Sequence, residues 1–154
     1  MAIGIGIGLG RFPLDRGPDY FKWIAQCEAG GIDSIWQTDR LISKEPNLET
    51  LSTMAALAGA TEKIRFGMNV ASIALRDPLL TAKQCATIDF LSGGRLLPAF
   101  GIGSALSRDY SATGTPTKGR GKKADEALHL LQQLWCRFWT ACSCSFWPFL
   151  AAAL

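Results

Sequence analysis

A chain of 154 residues with 48% hydrophobic and 19% charged residues has room for one domain with a real core, since a chain of this length buries roughly 68–70% of its unfolded surface. The net charge of +3 is dispersed, so composition points neither to nucleic acid nor to an acidic partner. The densest basic stretch, Lys118, Arg120, Lys122 and Lys123, reads as a solvated helix start.

The N-terminus, Met-Ala-Ile-Gly-Ile-Gly, has neither the basic segment nor the unbroken apolar run of a secretory signal, and the chain reads as cytoplasmic. Five cysteines, Cys27, Cys85, Cys136, Cys142 and Cys144, lack zinc-site spacing and are expected to be reduced.

In chain order, Ile3, Ile5, Ile7 and Leu9 alternate with glycines, which predicts a first strand with one face too crowded for side chains. Gly17-Pro18-Asp19 opens a helix whose Tyr20, Trp23, Ile24 and Cys27 share a stripe, and Gly30-Gly31 ends it. A short second strand, Ser34-Ile35-Trp36-Gln37, runs into Thr38-Asp39-Arg40. Asn47 is the expected cap of a second helix with Leu48, Leu51, Ala55 and Ala58 at helical spacing.

Alternation of Ile64, Phe66, Met68 and Val70 predicts the third strand. Asp77-Pro78 then pairs an N-cap carboxylate with a proline whose missing N–H costs nothing, starting a helix that runs to Gly93-Gly94. Residues 95–101 make the fourth strand, in which Pro98 cannot donate to a ladder and implies a bulge or irregularity. A long loop over 102–118 leads to a last helix with Ala124, Ala127, Leu128, Leu131, Leu134 and Trp135 on one face.

Strict strand-helix alternation in units of roughly 30 residues implies a parallel sheet covered by helices. Two architectures share it, an open doubly wound sheet and a closed barrel. The glycines never give the G-x-G-x-x-G turn of a dinucleotide-binding sheet: from Gly4, Gly6 or Gly8 the third position falls on Leu9, Arg11 or Pro13, and after Gly101-Ile102-Gly103 it falls on Leu106. They suit tight packing, or backbone close to a ligand.

Several blocks in order and spacing resemble one known family, the bacterial-luciferase-like flavin-dependent oxidoreductases, which include enzymes of the deazaflavin coenzyme F420. They are Glu28-Ala29-Gly30-Gly31-Ile32-Asp33-Ser34-Ile35-Trp36 running into Thr38-Asp39-Arg40, residues 64–69 followed by Leu75-Arg76-Asp77-Pro78, and Ala82-Lys83-Gln84 with Ala86-Thr87-Ile88-Asp89. Leu91-Ser92-Gly93-Gly94-Arg95-Leu96, Gly101-Ile102-Gly103-Ser104 and Gly119-Arg120-Gly121 through Asp125-Glu126-Ala127-Leu128 complete the set. The resemblance covers residues 2–135 and implies the first half of a (β/α)8 barrel, a mixed α/β fold of about four β/α units with its active site at the strand C-termini.

By that resemblance the cofactor is coenzyme F420 or FMN, and the activity is hydride transfer or monooxygenation on a small-molecule substrate, without nucleic acid or membrane. Asn69 and Val70 occupy the place of a non-prolyl cis peptide that bulges against the cofactor ring. Gly101, Ile102, Gly103 and Ser104 flank that ring. Asp39 stands where deazaflavin users place an acidic residue near the cofactor, as a contact or for proton transfer. Read from the residues alone, Asn69 closes a strand, and Asp39 caps its loop or pairs with Arg40. Arg40 and Ser104 depart from relatives that carry a histidine and a glutamate there, which argues against a sugar-phosphate-dehydrogenase type of proton transfer. His129, on the last helix, is expected to be exposed and outside the chemistry.

After Trp135 the composition changes: nothing beyond Arg137 is charged, and three of five Trp and three of five Cys fall between Trp135 and Trp147. Residues 136–154 read as a tail unrelated to the family, the product of a frameshifted or prematurely ended frame. They are short for a membrane anchor, contain Pro148, and match no common zinc pattern. A half-barrel is expected to leave open strand edges and an apolar inner face, so a second expectation is an inactive remnant that self-associates as a homo-oligomer.

Overall fold

The computed structural model describes residues 3–9 and 15–138. Strands β1 (Gly6–Leu9), β2 (Ser34–Gln37) and β3 (Arg65–Met68) pair in parallel, and β3 pairs onward with β5 (Leu96–Leu97). A second parallel ladder joins β4 (Ala71–Ser72) to β6 (Phe100–Gly101). The connections are α1 (Gly17–Ala29), α2 (Thr50–Ala60) and α3 (Pro78–Ser92), followed after β6 by α4 (Arg108–Ala112) and α5 (Arg120–Phe138).

The order β1-β2-β3-β5 never reverses. A doubly wound sheet must reverse its strand order to place helices on both faces, whereas here the helices cover one face. Ile35, Phe66, Met68 and Leu96 alternate onto that face and are fully buried in a core with Ile24, Met54, Leu57, Cys85 and Leu131 from the helices. The helices follow one another around it: α1 packs on α2, α2 on α3, and α3 along α5.

On the opposite face the register aligns Gly8, Trp36 and Gly67, with Leu97 beside them. On this face, expected to be apolar, the half-buried Trp36 ring lies against Gly6 and Gly67. A Cβ on Gly67 would overlap the Leu97 carbonyl oxygen and lie 2.8 Å from the Trp36 ring, and one on Gly6 would lie 2.7 Å from Ser34 Oγ. Crowding does not extend to Gly8, where a Cβ would meet nothing within 4 Å.

Local signals explain most element boundaries. Asp77 accepts the Leu80 N–H at 2.8 Å as the N-cap of α3, and Gly93 ends that helix at φ 68, a left-handed conformation that glycine adopts without a Cβ penalty. Asn47 does not cap α2. Glu49 does, accepting from Leu51 N (3.2 Å) and Ser52 N (2.7 Å), while the Asn47 amide turns back to the Glu45 carbonyl. The expected third and fourth strands each divide in two, at 69–70 and at 98–99. Pro98, with no N–H to offer, lies at the second break.

Two charged side chains fasten the layers. Arg95 donates to the carbonyls of Ala58, Thr61 and Ile64 and to Thr61 Oγ1, and stacks 5.3 Å over the Phe66 ring. It thereby satisfies carbonyls at the C-terminal end of α2, which the helix itself leaves unpaired. Glu28, on the last turn of α1, accepts the N–H groups of Glu62, Lys63 and Ile64 just before β3. Among the described residues no helix is long and apolar enough to cross a membrane. Helix α5 runs to Phe138; of the tail expected over 136–154, residues 139–154 lie outside the described residues.

Candidate active site at the strand ends

Three connections meet beyond the C-terminal ends of the strands: residues 38–49 after β2, 69–76 around β4, and 102–107 after β6. The peptide bond between Asn69 and Val70 is cis. On one side of it Asn69 N–H still bonds the Gln37 carbonyl at 2.8 Å. On the other, Ala71 N–H bonds the Ala99 carbonyl at 2.9 Å. The chain changes partners there, and the step turns Val70 outward, leaving it 42% exposed.

Val70 rests against Gly101, where a Cβ would lie 2.8 Å from Val70 Cγ2. Gly103, at φ 65, lies against Ser72: a Cβ there would be 2.9 Å from Ser72 Oγ. Both glycines let the two backbones approach and leave a ledge without protruding side chains, bordered by Ile102 at 40% exposure. Ser104 is exposed, its hydroxyl accepting the Leu106 N–H in a turn. The structure thus brings Asn69, Val70, Gly101, Ile102 and Gly103 together, with Ser104 at the margin.

Asp39 lies beside this ledge but faces away from solvent, its side chain 3% exposed. Its Oδ1 accepts Arg76 Nη2 at 2.8 Å; its Oδ2 accepts Arg76 Nη1 and the Ser72 N–H, both at 2.9 Å. The bonded arginine is Arg76, and Arg40 is exposed. Arg76 Nη2 also reaches Glu49 Oε1 at 3.1 Å. Burial alone would lower the Arg76 pKa, but the Asp39 charge and the hydrogen bonds to Asp39 and Glu49 raise it. For Glu49 burial acts upward, and the bonds from Ser52, Leu51 and Arg76 overcome it and hold the carboxyl below its ordinary value. One guanidinium therefore links the end of β2, the cap of α2 and the segment after the cis bond.

A further tie was not legible in the sequence. Helix α4 interrupts the expected 102–118 loop; Ser107 caps it by accepting the Asp109 N–H, an N-cap signal the sequence does carry. Buried Asp109 accepts the Ile42 N–H at 2.7 Å and the Ser107 hydroxyl at 2.9 Å. Its neighbour Tyr110 donates to the Ile102 carbonyl. The loops after β2 and β6 are thus both anchored on α4. Arg76, Ser72, Asp109 and Tyr110 are the positioning groups that sequence reasoning missed. His129 is exposed on α5, bonded to Gln133 at 2.9 Å, and Lys122 pairs with Glu126 on the same surface at 3.9 Å.

A family model described as luciferase-like monooxygenase matches residues 13–145. An uncharacterized protein of Mycobacterium tuberculosis is 35% identical over 91 residues, 58% of this chain and 31% of that protein. An F420-dependent glucose-6-phosphate dehydrogenase of Amycolatopsis mediterranei is 28% identical over 125 residues, 76% of this chain and 37% of the relative. Among solved structures, the oxygenating constituent of 3,6-diketocamphane monooxygenase from Pseudomonas putida, in complex with FMN, matches with a TM-score of 0.76 at 20% identity, covering 88% of this chain and 40% of the other. At that identity the likeness bears on the fold alone. The chain spans about a third of the length of these curated relatives. With the unreversed parallel sheet, the one-sided helical layer and the match over 13–145, the chain belongs to the luciferase-like monooxygenase family and forms part of its (β/α)8 barrel.

Proposed function

We propose that the ledge at the strand ends holds the ring of a flavin or deazaflavin, FMN or coenzyme F420, and that the protein is an oxidoreductase acting on a small molecule. The observation that carries this reading is Val70, an apolar side chain 42% exposed at the open ends of two strands and backed by Gly101, where any Cβ would displace it. A flat apolar ring needs such a surface, with bare backbone around it. Val70 and the Asn69 backbone would support the ring face, while Gly101, Ile102 and Gly103 would line its edge. Ser104 would offer a hydroxyl at the margin, and Asp39, bonded to the Ser72 N–H, would hold the backbone beside the reacting region. When bound, the cofactor supplies hydride transfer as the deazaflavin or oxygen chemistry as reduced FMN. The F420-dependent dehydrogenase among the similar proteins supports the deazaflavin, and the match to the luciferase-like monooxygenase family supports oxygen chemistry with FMN.

A second reading, a catalytically silent half-barrel that self-associates, rests on β1 and β5 being edge strands of the four-stranded sheet among the described residues. One experiment separates the two. The folded chain is titrated with FMN and with coenzyme F420 while cofactor fluorescence is followed, and its elution volume is measured over a range of concentrations. Saturable binding of either compound, weakened at least tenfold by Val70→Lys, supports the oxidoreductase reading. Absence of binding together with concentration-dependent association selects the second.

A further inference from the structure

We propose that Arg76 is a positioning residue for the cofactor ledge, acting through Asp39 and the Ser72 amide, and that Asp39 serves as the anchor that joins the two. The inference rests on the flavin or deazaflavin reading of the ledge. Both Asp39 oxygens are engaged: the guanidinium takes one lone-pair direction on each, and the Ser72 N–H takes a second on Oδ2. Paired hydrogen bonds from a planar guanidinium fix the orientation of the carboxylate as well as its position. The Asp39 side chain is 3% exposed and faces Arg76 and the Ser72 amide.

The force of the arrangement passes outward through the backbone. The Ser72 amide is fixed by Asp39; Ala71 and Ser72 are in register with Phe100 and Gly101; and Val70 lies on Gly101. Arg76 thus sets the separation of the two short strands that carry the ledge. Its own position is held from two sides, by Asp39 and by Glu49, and its side chain is only 11% exposed. The ion pair spans 37 residues of chain, so it ties the second and third strand-helix units at the level where the ring would lie. Lysine could match the charge but not the two-point geometry.

Two readouts on the full chain test this. The first needs no cofactor: hydrogen exchange at the Ser72 amide. Arg76→Gln is expected to speed it at least tenfold while the amides of Met54 and Leu57 inside α2 keep their protection. The second is the FMN and coenzyme F420 titration, in which Arg76→Gln and Arg76→Lys are expected to weaken binding at least tenfold and to alter the visible circular dichroism of the bound ring. Because Arg76→Gln strands a buried carboxylate, the double variant Asp39→Asn with Arg76→Gln is measured beside it. The neutral amide pair can restore the Ser72 contact, and recovery of at least tenfold in affinity over Arg76→Gln alone is expected. Unchanged Ser72 exchange, unchanged affinity in Arg76→Gln, or no recovery in the double variant would each overturn the proposal. Failure of the wild-type chain to bind either cofactor removes the underlying reading first, and that outcome is seen before any variant is made.

Discussion

Single residues matter most here where two backbones nearly touch. Gly67 is the tightest such point, because its missing Cβ is occupied by the Leu97 carbonyl and the Trp36 ring. A flexible side chain can move aside, but a carbonyl in a parallel ladder cannot without breaking its pairing. Gly67→Ala is therefore expected to cost about 3 kcal/mol, at the upper end for overpacking, read as a fall in the urea midpoint. Trp36→Ala on the same background should recover little of it, since the backbone conflict persists. The alternating glycines of the first strand were visible in the sequence, but which of them are crowded was not: Gly6 is, against Ser34 Oγ, whereas Gly8 meets nothing within 4 Å.

Individual elements are governed by their ends. The proline-led start of α1 and the Asp77-Pro78 start of α3 were both readable, because capping chemistry acts over three or four residues. Asp77→Ala should cost about 1 kcal/mol in chemical denaturation, and Asp77→Asn, which keeps the acceptor, much less. The start of α2 was misread because two polar residues compete there. Asn47 has the better capping propensity, but Glu49 has Arg76 to hold its carboxylate in place. Helix α4 was missed because its five residues are too few to show a period, although Ser107 was a usable signal.

Across the whole molecule, stability depends on charged side chains that join distant layers, and the acid limb should show it. Burial pushes the Glu28 carboxyl upward, but three backbone N–H bonds, with the nearby Arg95 charge, bring its folded pKa below the ordinary 4.5. A group depressed on folding stabilises the protein above its unfolded pKa, and that contribution disappears as pH falls through the folded value. Glu49 is shifted in the same direction. The urea midpoint should therefore decline below about pH 5, and Glu28→Gln should lower the neutral-pH midpoint while flattening that decline. An unchanged acid slope in Glu28→Gln would show that these three bonds carry no proton linkage.

Alternation of strands and helices, the proline-led starts of α1 and α3 and the glycine stop of α3 are local properties, and the sequence by itself determined them: they depend on neighbours within a few positions. The family blocks likewise pointed to the ends of strands two, three and four, where by that resemblance a site is expected. Only the tertiary structure decided that Asp39 meets Arg76 and not Arg40, that α4 anchors two loops, and that Val70 stands out on Gly101. Those contacts join residues tens of positions apart. Their partners are selected by the register of parallel strands and the packing of helices on one face, which no local pattern encodes.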